Sequence, residues 1–230
     1  EAFTVREVRD AEQKAALLAE AEQAMIKVKR GADLWVGAHL MGLNASERQT
    51  LLLRLVTLYL NGVLDGEIDA AKYPDAARAL SAARQVRAFH WEFKFPEVFD
   101  RGGFSGFVGN PPFIGGRRIR ETLGDNYRES LYYFYQDSSG NADYCAFFFL
   151  QAFGHLRSPG SLGLIATNTI AQGDTRQTGL EAIISKKGTV YLATNDYQWP
   201  GLAAVAVDII HIFKGTHLGP YILDNEPVGF

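Results

Sequence analysis

Four short apolar runs restrict the fold more than any other feature of the chain. They lie at residues 104–109, 162–167, 189–194 and 203–213. Each is bounded by Gly, Pro, Asn, Asp or Ser and reads as a buried strand. Two helical segments stand between them, an apolar one at 142–156 with Asp143 in its first turn and a short one at 179–185. Strands alternating with helices predict an α/β sheet with parallel strands. The last two runs leave no room for a full helix between them, which predicts an antiparallel pair. Ser158-Pro159-Gly160-Ser161 reads as a turn before the second strand.

The chain before Phe89 has a different character. Good helix formers fill residues 5–29. Gly31 permits a bend, and residues 31–42 read as a second, more apolar helix. Ser46 to Gln49 reads as a capping box before the run LLLRLVTLYL, and Asn61-Gly62 closes that helix. Pro74 suits the first turn of another. The expected organisation is a helical region at 1–89, an insertion or linker, followed by an α/β region at 90–230.

Composition narrows the function classes. With 47% hydrophobic residues, 21% charged residues and a net charge of −3, the chain is no bulk polyanion binder. Binding nucleic acid would require a local basic patch. The single cysteine, Cys145, permits no internal disulfide and no zinc spacing, which predicts a reducing, cytoplasmic setting. His39, His90, His155, His211 and His217 show no ligand spacing, so no metal is expected. No apolar stretch is long enough for a membrane span. The chain opens in a helical pattern without Met, as a piece of a longer protein would.

The residues with chemistry in them are Asn110-Pro111-Pro112-Phe113, at the end of the first apolar run. An α/β sheet presents its ligand sites at the C-terminal ends of its strands. The prolines fix the backbone, so the Asn110 amide oxygen and a main-chain carbonyl keep one geometry. Phe113 adds a flat apolar face. Two acceptors beside a ring suit a planar base carrying an exocyclic amino group.

This motif resembles the catalytic loop of amino-group DNA methyltransferases of the adenine-N6 type. ADYCAFFFLQAFGHLRSPGSLGLIATNTIAQGDTR is similar to that family's next helix, turn and strand, and WPGLAAVAVDIIHIFKG to its last strand pair. The likeness covers roughly residues 89–215 and is strongest to large restriction–modification and phage-defence enzymes. It implies the C-terminal half of a Rossmann-like class I methyltransferase sheet and S-adenosylmethionine as methyl donor. It further implies double-stranded DNA as partner, with the target adenine flipped out of the duplex. Hydrogen bonds from the adenine amino group to the Asn110 side chain and the Pro111 carbonyl would then strengthen as charge develops on nitrogen.

Further roles follow from the resemblance alone. Phe113 and Trp199 would stack on the flipped base, and Phe147 would approach the cofactor adenine. Arg117, Arg118 and Arg120 would meet phosphates. Asn168 and Thr169 would border the site. Plainer readings stand beside these. Trp199-Pro200-Gly201 reads equally as a packed turn, Phe147 as core, and the arginines as a solvated loop. Asp174 and Arg176 read as a mutual ion pair or as substrate groups.

The resemblance also implies a glycine-rich loop after a first strand, to hold the cofactor. No such loop precedes Asn110. The chain is therefore expected to carry an incomplete S-adenosylmethionine site and to be inactive alone. The cofactor half, a target-recognition domain and a nuclease, if one is fused, would lie elsewhere in its polypeptide. Two alternative functions stay open: methylation of protein glutamine or RNA, and a non-catalytic DNA-binding or assembly module of the same fold.

Overall fold

A computed structural model describes residues 8–199 and 205–229. The chain divides into two compact units, Glu1–Lys94 and Phe95–Phe230.

The first unit is helical: α1 (Val8–His39), α2 (Ala45–Leu60), α3 (Pro74–Gln85) and the single turn α4 (Trp91–Lys94). Leu34 and Ala38 of α1 pack with Leu51 and Leu55 of α2, Leu64, and Ala76, Ala79 and Leu80 of α3. The expected break at Gly31 does not occur, and α1 runs through it for 32 residues. The glycines here serve close approach. A Cβ on Gly31 would lie 3.1 Å from the Tyr59 ring, and one on Gly37 would lie 1.8 Å from the Ala79 carbonyl oxygen. The capping box before α2 is also displaced from its expected position. Asn44 is the N-cap and Glu47 its reciprocal partner, each bonding the other's N–H at 3.0 Å. Asn61 and Gly62 do end α2, with Gly62 at φ +70.

The second unit begins with the turn α5 (Pro96–Phe99) and then β1 (Phe104–Gly109). After the Asn110–Phe113 loop come α6 (Gly116–Leu123), α7 (Asp125–Phe134), α8 (Tyr144–His155) and β2 (Leu156–Ala166). Short helical turns follow: a 3-10 turn (Asn168–Ala171), α9 (Gly173–Arg176), a π turn (Gln177–Glu181) and α10 (Ala182–Ser185). The chain then forms β3 (Gly188–Gln198), β4 (Ala206–Lys214), β5 (Tyr221–Leu223) and β6 (Glu226–Val228). The residues expected to start the fourth strand at 203 lie outside the described ones.

All six strands form one open sheet in the order β1-β2-β4-β3-β5-β6. β1 and β2 are parallel, while β4 lies antiparallel between β2 and β3. The sheet is thus mixed α/β rather than all parallel. The short β3–β4 link cannot make a crossover, so β4 must run back against its neighbours. Ser158-Pro159-Gly160-Ser161 is not a free turn. It lies inside β2, where Phe104 pairs with Leu156 and Gly106 already pairs with Ser161, so the chain between bulges out of register.

One face of the sheet is buried under helices. Leu162, Leu164, Ala166, Ile210 and Ile212 pack against Cys145, Ala146, Phe149, Ala152 and Phe153 of α8. Strand alternation sends Gly163, Ile165, Ile209 and His211 to the other face, which is half-exposed. Hydrophobic burial on the α8 side fixes the register of β2 and β4, and so fixes which strand ends share an edge.

Candidate active site

β1 ends at Gly109, which pairs with Leu164 of β2. Asn110 is the first residue beyond the strand and is exposed. Among the described residues, no group hydrogen-bonds its side-chain amide. Pro111 is buried and anchors the loop, while Pro112 is exposed and Phe113 leaves 38% of its surface open. The loop's far end is fixed as well. The Tyr144 N–H donates to the Ile114 carbonyl at 2.9 Å. Gly116 is pressed on the preceding turn so closely that a Cβ there would sit 2.2 Å from the Asn141 carbonyl oxygen. Asn110 to Phe113 is therefore a short span held at both ends, presenting an uncommitted amide and an open ring.

The turn that holds it is polar and buried. Asp143 is the N-cap of α8, and its carboxylate accepts from the Cys145 N–H at 3.0 Å. Its own N–H donates to Thr175 Oγ1 at 3.0 Å. Thr167, just beyond β2, donates to the other carboxylate oxygen at the long distance of 3.5 Å and also contacts the Thr169 hydroxyl at 2.7 Å. Asp143 and Thr175 are 6% and 5% exposed. The Ser139 N–H donates to Thr178 Oγ1 at 2.9 Å, tying the same turn to the helices after β2. Sequence reasoning gave Thr167, Thr175 and Thr178 no role. The available signal was Asp143 placed directly before an apolar helix, which marks an N-cap.

Cys145 lies beneath this junction. Burial, and then the Asp143 carboxylate, push its thiol well above the usual range. It stays protonated and is no nucleophile at neutral pH. Tyr144 is likewise pushed up by burial, and its hydroxyl meets that of Tyr127 at 2.5 Å. Burial also raises Tyr135, to about 12.

The remaining residues of interest fall in several places. Phe147 is 3% exposed, with its ring packed on Tyr132, Tyr135 and Tyr144. No open face is left on it for a ligand. Arg117, Arg118 and Arg120 lie on α6 rather than in a loop, and all three are exposed. Ile119, fully buried, fixes that helix. Arg120 forms an ion pair with Asp125, while Arg117 and Arg118 have no side-chain partner among the described residues. Asp174 and Arg176 do not pair with each other; Arg176 bonds Glu181 at 3.2 Å. Asn168 and Thr169 fall in the 3-10 turn beyond β2, on the same edge as Asn110.

Trp199 is 37% exposed, and its N–H donates to the Val205 carbonyl at 3.0 Å. Pro200 and Gly201 lie outside the described residues. β3 is antiparallel to β4, which is antiparallel to β2, so β3 ends on the same edge of the sheet as β1. Asn110 and Trp199 thus lie toward the same edge on strands three spacings apart, roughly 14 Å across the sheet, but Gly109 is level with Ala193, so Trp199 stands further out along β3.

The comparison that decides the family is a match of residues 38–193 to the Eco57I restriction-modification methylase family. That is more than half of the 230 residues. The chain belongs to the Eco57I restriction-modification methylase family. No curated protein matches it. A solved structure of the Type IIL restriction-modification enzyme MmeI in complex with DNA is similar, at 19% sequence identity and a TM-score of 0.46. The likeness covers 58% of this chain and 19% of MmeI, so this methylase-family chain corresponds to a minor part of MmeI's length. Among the described residues of this family member, no group of His, Cys, Asp and Glu could hold a metal ion. None of their helices is long and apolar enough to cross a membrane.

Proposed function

We propose that this chain is the base-holding part of an S-adenosylmethionine-dependent DNA adenine-N6 methyltransferase of a restriction–modification or phage-defence system. The observation that carries the reading is the uncommitted Asn110 amide at the end of β1, on a loop held at both ends. In this reading, the Asn110 side-chain oxygen and the Pro111 carbonyl accept the two amino hydrogens of a flipped adenine. The amino lone pair is delocalised into the ring, and these bonds return density to nitrogen. They strengthen as positive charge develops there, so they favour the transition state over the ground state. Phe113 stacks on the base and offsets part of the few kcal/mol that unstacking costs. Arg117 and Arg118, exposed and without partners, suit contacts to DNA phosphates.

Gly103 and Gly116, on either side of β1 and the Asn110 loop, are not free to cradle S-adenosylmethionine. Gly102 and Gly103 make a tight turn, where a Cβ on Gly103 would lie 2.4 Å from the His155 carbonyl oxygen. Gly116 is filled by the Asn141 turn, and Phe147 is enclosed by tyrosines. The close contacts at Gly103 and Gly116 support the reading that this chain carries an incomplete donor site. Double-stranded DNA and the rest of its own polypeptide are the proposed partners.

The test uses the full-length protein and its Asn110→Ala variant. Methyl transfer to adenine-containing duplex, to RNA and to a glutamine peptide would be compared. Transfer to duplex alone, lost in the variant by at least about a hundredfold in kcat, is expected. Undiminished transfer in the variant, or preference for RNA or peptide, would reject the proposal.

A further inference from the structure

We propose that Asp143 is a positioning residue, which holds the Asn110–Phe113 loop in its productive geometry through the start of α8. The inference rests on the function proposed above and extends it to a residue that touches no substrate.

The loop has two attachments. One is the β1–β2 pairing at Gly109 and Leu164. The other is the bond from the Tyr144 N–H to the Ile114 carbonyl, at 2.9 Å. Tyr144 is the first residue of α8, so its N–H is one the helix itself cannot satisfy. Where that N–H points depends on how the helix start is fixed, and Asp143 fixes it. Its carboxylate accepts from Cys145, its carbonyl from Ala146 at 3.1 Å, and its N–H donates to Thr175. Thr167, just beyond β2, stands at the long distance of 3.5 Å from the remaining carboxylate oxygen, a weak contact beside its 2.7 Å contact with Thr169. The loop is therefore held at one end directly through the sheet and at the other through Thr175, Asp143 and Tyr144. A buried, bonded network of this kind holds one geometry, and acceptors aimed at a developing charge work only if they need not reorganise.

The alternative is that Asp143 merely stabilises the fold. The two roles differ in what they change. The experiment uses the full-length protein with Asp143→Ala, Asp143→Asn, Thr175→Val and Thr167→Val, and with Asn110→Ala as reference. Asparagine keeps the oxygen that accepts from Cys145 and can donate to Thr167, so it is the rescuing variant. The valines keep shape; Thr175→Val deletes the bond from the Asp143 N–H, and Thr167→Val deletes the contacts to Asp143 and to Thr169. Single-turnover methylation, KM for duplex and thermal unfolding would be recorded for each.

The expected result is a fall in the single-turnover rate of about ten- to a hundredfold in Asp143→Ala, with KM little changed. Asp143→Asn should recover most of that loss. Thr175→Val should show a smaller fall of the same kind while remaining folded at the assay temperature. If Asp143→Ala does not fold, the two valine variants decide the matter. Folded variants with unchanged single-turnover rates, or a loss confined to KM, would overturn the proposal. Should Asn110→Ala itself leave methylation unchanged, the functional reading fails. If Asn110→Ala abolishes the reaction and the Asp143 and threonine series does not, only this inference fails.

Discussion

The Tyr144 N–H and the Ile114 carbonyl are 2.9 Å apart, so the first residue of α8 holds the last residue of the Asn110 loop. Two positions farther on, the Gly116 Cα faces the Asn141 and Ala142 carbonyls with no room for a side chain.

Gly116→Ala should therefore disturb both the fold and the loop. The new Cβ would meet backbone oxygens at 2.2 and 2.7 Å, neither of which can turn away as a side chain would. Overpacking of this kind destabilises by about 1–3 kcal/mol. Denaturant unfolding should show that loss in Gly116→Ala. Gly115→Ala is the control, because nothing lies within 4 Å of a Cβ there. Equal stability of the two variants would remove the close-approach argument.

Phe113 is open enough to receive a base. Stacking of one base on an aromatic ring is worth about 1–3 kcal/mol. Phe113→Ala in the full-length protein should weaken extrusion of the target base roughly five- to a hundredfold. A 2-aminopurine reporter at the target position would read this as reduced fluorescence on binding. An unchanged signal would place the stacking surface elsewhere.

Lys214 secures the other end of α8. Its Nζ donates to the carbonyls of Phe153, in the last turn of α8, at 2.9 Å and of Leu156, the residue that caps it, at 2.6 Å. Burial lowers its pKa, but the carbonyls keep a use for its charge. Lys214→Met is expected to lose about 1–3 kcal/mol of stability in urea unfolding. A loss under about 0.5 kcal/mol would class the contact with ordinary surface positions.

Asp208 gives the chain a pH signature. It is 2% exposed, and its carboxylate accepts from the Asp196 N–H at 3.0 Å. Burial raises its pKa; the Asp196 N–H opposes this, while the charges of Asp196 and Asp224 add to it. The folded state thus holds this proton more tightly than the unfolded chain. The stabilisation is complete below the unfolded pKa of about 3.9 and is lost as pH rises through the folded value. At neutral pH the ionised form weakens the fold, and Asp208→Asn, which keeps an acceptor for Asp196, should raise the Tm. That gain should shrink as pH approaches about 4. Calorimetric unfolding across this range checks it, and a pH-independent gain would contradict it.

The sequence made the strand cores and the site loop legible for a simple reason. Apolar runs such as 162–167, and the rigid Asn110-Pro111-Pro112 step, carry their signals locally. What it hid depends on tertiary contact. Gly31 looks like a helix break, yet it and Gly37 admit Tyr59 and the Ala79 backbone. Phe147 looks like a ligand face until Tyr132 and Tyr135 close over it. The β5–β6 hairpin carries a local signal in Asp224-Asn225. Asp224 and Asn225 both take positive φ, as a tight hairpin turn requires. Thr167 and Thr175 could not be linked to Asp143 without the fold, because the bonds span 24 and 32 residues.

The central claim is that the Asn110 loop holds the amino group of an adenine. The most direct measurement is the identity of the modified nucleoside. The full-length protein would be incubated with duplex DNA and isotopically labelled S-adenosylmethionine, the DNA digested, and its nucleosides resolved by mass spectrometry. The account predicts label in N6-methyladenine. Label in a methylated cytosine, or none in DNA while the protein binds both ligands, would contradict it.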